Sequence, residues 1–387
     1  MQKQALVLAI AAFSSGYASA ESSFWIGGRY DMGYQFIHYG KSDNANGTSA
    51  GGTTQETMGD GSASTSAILM RATETLAPGW SAIVELDLRF GTIEEGKNAA
   101  TTGGLNSNDR KALYLVSPYG TMRWGVMNMV NHQYWDYEER ADMNLLKDLE
   151  IVKYGLSQKR GDSLTSRVTE YDSPILQVGD IKARIKGSYA MGDNRKSGSS
   201  DVDSTTSGDA MAVSQTGQIG KWMNWGFSRV HKRTTGEGAD PYSRNGLHYA
   251  EHYVNIYPIP HLKLAANYNI YKGFGDAAST GSNGIFKEKN TNFLIAYNWN
   301  DRLQIGAARA HLNDLGDSRN SGKSWMFGAS YNLSKSVYVF AAYEKDDFDR
   351  NDASGSSVKY TGTNSGFMGT WTKQDMRLTR VGLVKEF

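Results

Sequence analysis

Residues 377–387 read RLTRVGLVKEF, a segment with the look of a terminal membrane strand whose last aromatic, Phe387, sits at a bilayer interface. The opposite end carries an export pattern: Lys3, an apolar run over residues 5–13, and the small-residue sequence Ala18-Ser19-Ala20 suited to a signal peptidase. No later apolar run is long enough for a membrane helix. An exported chain that closes on an interfacial aromatic is expected to cross a membrane with strands, as a barrel.

Composition agrees. The 43 Gly, 22 Tyr and 9 Trp beside 6 Pro suit strands, tight turns and aromatic girdles. With 41 Lys+Arg against 40 Asp+Glu, the balance gives no indication of bulk attraction to nucleic acid or acidic lipid, and any specificity must be local. Zero cysteines exclude disulfides and thiolate metal ligands. A mean hydropathy of -0.51 fits a barrel as well as a soluble protein, because only alternate residues of each membrane strand meet lipid.

Working outward, period-2 alternation recurs and helical periodicity is nearly absent. Over residues 262–271, Leu262, Leu264, Ala266, Tyr268 and Ile270 share one face, opposite Lys263, Asn267 and Asn269. Val84, Leu86, Leu88 and Phe90 likewise oppose Glu85, Asp87 and Arg89; Phe293, Ile295, Tyr297 and Trp299 oppose Asn292 and Asn298; Trp325, Phe327 and Tyr331 oppose Ser324, Ser330 and Asn332. A soluble sandwich alternates too, so the connections decide. Tight links at 77–79, 117–120, 174–180, 219–220, 257–260, 300–301 and 333–335 take turns with polar stretches at 39–63, 91–108, 128–166, 191–208, 232–244, 272–289, 313–322 and 347–370. That division gives about sixteen antiparallel strands with both termini on the turn side, and an even count leaves no edge in hydrocarbon. The expected organisation is a signal peptide over 1–20 and one barrel domain over 21–387.

The order of several short motifs resembles the trimeric general-diffusion porins of Gram-negative bacteria over essentially the whole mature length. The pieces are Gly28-Arg29-Tyr30-Asp31-Met32-Gly33, Ala72-Thr73-Glu74-Thr75-Leu76 leading to Gly79-Trp80, Tyr119-Gly120-Thr121-Met122-Arg123-Trp124-Gly125, Glu170-Tyr171-Asp172-Ser173-Pro174, Tyr331-Asn332-Leu333-Ser334-Lys335, and Val381-Gly382-Leu383 to Phe387. The resemblance implies a sixteen-stranded barrel in the outer membrane, a homotrimer, and a third loop folded inward to narrow a water-filled channel. It sets the loop 128–166, with Asp136, Glu138, Glu139, Asp142, Asp148 and Glu150, across from a wall of bases. Ala67 and Val126 stand where that family commonly has wall arginines. Alternation instead turns Arg29, Arg71, Arg89 and Arg123 inward, and gathers Lys182, Arg184 and Lys186 on one strand face; the phase of Arg167 is unresolved.

Each group has a second reading. The inward bases also suit structural pairing with barrel acids such as Asp31, Glu85 and Asp87. Trp25, Tyr39, Trp80, Tyr257, Trp299 and Tyr343 are expected in interfacial belts. The acidic stretch 344–352, EKDDFDRND, lacks the EF-hand spacing and is expected as a solvated or divalent-bridged surface. His248 and His252 share a face but lie about 13 Å apart at ~3.3 Å per residue, too far to hold one metal. No Gly-x-Ser-x-Gly elbow or His-Glu-x-x-His helix is present. No catalytic residue, metal or cofactor is therefore expected. The function expected is passive diffusion of small hydrophilic solutes and ions, in contact with outer-membrane lipid and lipopolysaccharide and with no nucleic acid. The alternative is a substrate-selective porin for a particular anion, sugar or organic acid, with receptor or adhesin roles in its surface loops.

Overall fold

The computed structural model describes residues 22–39, 42–43, 49–50, 53–59, 66–90, 105–106, 111–127, 165–191, 210–232, 247–274, 285–314, 321–349 and 373–387. The expected signal peptide and the acids of the loop 128–166 lie outside these residues.

The described chain forms one closed antiparallel sheet, a sixteen-stranded barrel. Its strands are β1 (Ser22–Tyr39), β2 in two pieces (Thr53–Gly59 and Ala67–Ala77), β3 (Trp80–Phe90), β4 in two pieces (Leu105–Asn106 and Lys111–Ser117), β5 (Gly120–Met127) and β6 in two pieces (Thr165–Asp172 and Leu176–Val178). They continue with β7 (Ile181–Ala190), β8 (Ala210–Ile219), β9 (Met223–Lys232), β10 (Leu247–Ile256) and β11 (Leu262–Phe274). The last five are β12 (Ile285–Asn298), β13 (Leu303–Asp314), β14 (Ser321–Ser334), β15 (Val337–Asp349) and β16 (Lys373–Glu386). Sequential neighbours pair throughout, and β16 returns to pair with β1. At that seam Gly28 N donates to Phe387 O at 2.9 Å and Phe387 N donates to Gly28 O at 3.0 Å, so the terminal residue completes the ring.

Parts of several expected connections are strand instead. Residues 53–59, read as loop because TTQETMG is polar, pair with Gly33–Tyr39 of β1. The link at 174–180 shrinks to a turn at Gly179-Asp180, because Leu176–Val178 rejoins the ladder with β7. Pro174 has no N–H to donate, and Ser173 spans the gap: its N–H donates to Ile185 O at 2.9 Å and its hydroxyl accepts from Ile185 N at 3.0 Å.

The alternation expected from sequence sorts the two faces. Phe293, Ile295, Phe327, Val213 and Ile185 point outward and are exposed, while Asn292, Ser324, Ser214, Lys186 and Glu251 point inward and are buried. The inner face is not uniformly polar. Ala296, Ala308, Ala310 and Ala342 leave room there for Met326, Tyr338, Phe340 and Val384, and a second inward cluster joins Ala112, Met127, Val168, Ala190, Ala210, Ala212 and Val230. Small residues beside large ones let a curved inner surface pack without clash.

Candidate functional site: the lumen wall

Inward positions of β2 to β7 carry a continuous run of charged and hydrogen-bonding groups. Arg71 on β2 stands opposite Glu85 on β3. Glu85 Oε1 accepts from Tyr114 Oη of β4 at 3.1 Å, and the guanidinium of Arg123 on β5 lies 5.1 Å from the centre of the Tyr114 ring. Arg123 then reaches β6, with Nη1 2.7 Å from Glu170 Oε1 and Nη2 2.7 Å from Asp172 Oδ2. Asp172 stands opposite Lys186 of β7. One guanidinium thus bridges two carboxylates three strands away from Arg71, and charges of both signs alternate around this arc. Paired charge of this kind stiffens a wall and contributes little net field.

Turnward of Lys186, Arg184 and Lys182 repeat the inward position of β7 and extend the positive run along the strand. On the far wall the lining changes character. Asn267 Nδ2 donates to Glu251 Oε1 at 2.7 Å, beside inward Asn269, Asn292 and Asn255, giving β10 to β12 a face of carboxamides. Between β15 and β16, Arg380 Nη2 lies 3.3 Å from Glu344 Oε2, with both side chains 2% exposed.

Of the wall residues expected from sequence, Arg29, Arg71, Arg123, Lys182, Arg184 and Lys186 all fall on inward register positions, and Arg89 pairs with inward Ala67. Arg123 is bound into acids, as the pairing alternative anticipated, though its partners are Glu170 and Asp172. The ladder between β5 and β6 shifts register between Thr165 and Val168, the interval that contains Arg167.

Two expectations fail. Trp25 does not join an outer belt: it shares the inward phase of Gly27 and Arg29, stands opposite Arg71, and its indole lies across Gly27 where a side chain would collide with it. The acidic stretch 344–352 is not a loop through Asp349 but the end of β15, with Glu344 and Asp346 buried on the inner face and Lys345 Nζ 3.1 Å from Asp347 Oδ1 on the outer one. Sequence reasoning missed Glu344 and Arg380 as partners, since their contact depends on the register of strands 36 residues apart. His252 faces outward, its ring 5.0 Å from that of Phe227.

A family model described as Gram-negative porin matches residues 5–351. The chain belongs to that family. As a porin it is an outer-membrane β-barrel that forms a channel. No curated protein matches it in sequence. Among solved structures, it is similar to an anion-selective porin from Comamonas acidovorans, with 17% identity, 95% of this chain and 100% of that chain covered, and a TM-score of 0.67. The loop L8 deletion mutant of OmpT from Vibrio cholerae gives 10% identity, 95% and 99% coverage and a TM-score of 0.60. OmpF of Salmonella typhi, in complex with daunomycin, gives 14% identity, 94% and 97% coverage and a TM-score of 0.58. At these identities the likeness is one of fold.

Proposed function

We propose that this porin is a passive channel for small hydrophilic solutes and ions, working as a homotrimer without cofactor, catalysis or energy coupling. The observation that carries this reading is the polar inner wall of a closed barrel, from Arg71 through Arg123 to Lys186, set against an apolar outer face. A lining of fixed charges and amides replaces part of a solute's hydration at each step, which admits polar molecules and excludes apolar ones. In this reading residues 1–20 are removed on export, and the acids Asp136, Glu138, Glu139, Asp142, Asp148 and Glu150 narrow the lumen opposite the wall bases. A trimer is supported by the trimer form solved for Vibrio cholerae OmpT, whose fold is shared.

The test is single-channel recording of refolded protein in a planar bilayer under a salt gradient. Large conductance in three equal steps supports an open trimer; the absence of conductance overturns the channel. A second reading, preference for anions, is favoured by Lys182, Arg184 and Lys186 on one inward strand face and by the fold shared with an anion-selective porin. Its signature is a reversal potential of anionic sign, with block by a polyanion at low concentration.

A further inference from the structure

Among the described residues, the neutral side chains that keep a buried polar atom without a partner gather on one stretch of the inner wall. They are Ser214 Oγ on β8, Ser228 Oγ and Asn224 Oδ1 on β9, Asn267 Oδ1 and both amide atoms of Asn269 on β11, and both amide atoms of Asn292 on β12. The register joins them: Ser214 stands opposite Ser228, Ser228 opposite Glu251, and Glu251 opposite Asn269, while Asn267, one inward step turnward, stands opposite Asn292. Elsewhere on the lumen wall the leftover polar atoms belong to charged side chains such as Arg123, Asp172 and Arg380, each of which makes other contacts. The neutral stretch is therefore confined to β8 to β12.

A buried carboxamide that meets nothing is costly, so the chemistry of these side chains says what should meet them. Asn269 and Asn292 each leave a donor and an acceptor open. A cation would serve only the oxygens and an anion only the nitrogens, whereas a hydroxyl group donates and accepts and serves both. The Glu251 carboxylate, 1% exposed and accepting from Asn267 Nδ2 at 2.7 Å, adds a strong acceptor for a further hydroxyl. Tyr253, on the inward phase between Glu251 and Asn255 and opposite Asn267, brings an aromatic ring to the same face. Small inward residues border the stretch, with Gly226 opposite Tyr253, Ala265 opposite Asn255 and Ala310 opposite Asn292, so side chains lying over it have room to move aside.

From Glu251 on β10 to Asn292 on β12 is about 10 Å at ~4.8 Å per strand, longer than one sugar ring and close to the length of two. Separate waters meet such atoms one at a time; a polyol carries several hydroxyls on one frame and meets them for a single ordering cost. We propose that the inner face of β10 to β12, with Glu251, Asn267, Asn269 and Asn292, is a binding tract for neutral polyhydroxylated solutes of about disaccharide size. The tract rests on the reading that hydrophilic solutes cross this lumen, and it names one class of them.

The experiment records current through the full-length refolded porin in a planar bilayer during titration with sucrose, with polyethylene glycol of equal hydrodynamic radius, and with N-acetylglycinamide. Sucrose is expected to block saturably, with half-block below about 100 mM. The glycol, whose ether chain accepts hydrogen bonds but donates none, is expected to lower conductance in proportion to its concentration without saturating. N-acetylglycinamide is expected to need roughly tenfold more than sucrose for the same block. N269L/N292L keeps side-chain volume and removes the donors and acceptors, and is expected to raise the half-block concentration of sucrose by roughly tenfold. Ser324→Ala on inward β14, outside the tract, is expected to leave it unchanged. Sucrose acting as the glycol does, the amide blocking as strongly as sucrose, or an unchanged half-block in N269L/N292L overturns the proposal. The comparison of sucrose with glycol uses the unaltered protein, so it decides even where the variant fails to fold. Conductance in salt alone tests the channel reading separately: a conducting porin that sucrose does not block loses the tract and keeps the channel.

Discussion

Arg123 and Glu170 meet across the β5–β6 ladder at 2.7 Å, and Arg123 reaches Asp172 at the same distance with its other terminal nitrogen. The arginine side chain is 18% exposed and the carboxylates nearly buried, so water replaces the guanidinium only in part. Arg123→Gln leaves two carboxylates side by side with no counter-charge. The expected loss is about 2–3 kcal/mol, at or below the usual range for breaking a buried pair because the lumen supplies some solvent. It reads out as a lower temperature for loss of the folded, fast-migrating band on gels. Zero shift would mean that Lys186 or another base takes over both acids.

Lys182 differs from Arg123 in lying inward at the turn-side end of β7, where it forms no ion pair among the described residues. Lys182→Glu is therefore expected to move the reversal potential toward cation preference. The shift should be larger in 0.1 M than in 1 M salt, since the screening length falls from about 10 Å to about 3 Å over that range. Equal reversal potentials for both proteins at 0.1 M would exclude Lys182 from the ion path.

The barrel was legible in the sequence because its two ingredients are local. Leu264, Ala266 and Tyr268 alternate with Lys263, Asn267 and Asn269 within one strand, and every tight link but Leu333-Ser334-Lys335 contains Pro, Gly or Asn. Residues 53–59 escaped because two of their three outward positions, Thr54 and Glu56, are polar and only Met58 is apolar, so alternation marks them weakly; pairing with β1 defines them as strand. Trp25 escaped for the converse reason. An aromatic near a strand end fits a lipid belt or a lumen mouth equally, and only its register opposite Arg71 separates the two. The pairs Arg123–Glu170 and Arg380–Glu344 needed register as well, because strand order fixes which inward residues are neighbours and a single strand's pattern does not.

Gly125 lies between inward Arg123 and Met127 on β5 with φ of 146°, a conformation few residues other than glycine adopt, and a Cβ there would run into the Lys111 carbonyl of β4. Gly125→Ala is expected to cost about 1–3 kcal/mol by backbone strain alone. The change moves no charge, so urea midpoints should fall while the reversal potential stays put. A shift in reversal potential would show instead that the end of β5 positions the charges of the segment that follows it.

Val213 and Thr216 lie three residues apart on β8 and point to opposite faces, the valine 47% exposed to the outside and the threonine toward the lumen. Lysine at the two sites therefore meets two solvents. Val213→Lys puts an ammonium well inside the apolar band and is expected to destabilise the barrel by about 2–4 kcal/mol, while Thr216→Lys stays within about 0.5 kcal/mol because water reaches it. Refolding into vesicles across a urea series measures both. The contrast between them isolates lipid exposure from β-propensity, since both substitutions replace a β-branched residue in the same strand; equal costs would mean that β8 does not face hydrocarbon, as happens where a second barrel covers it.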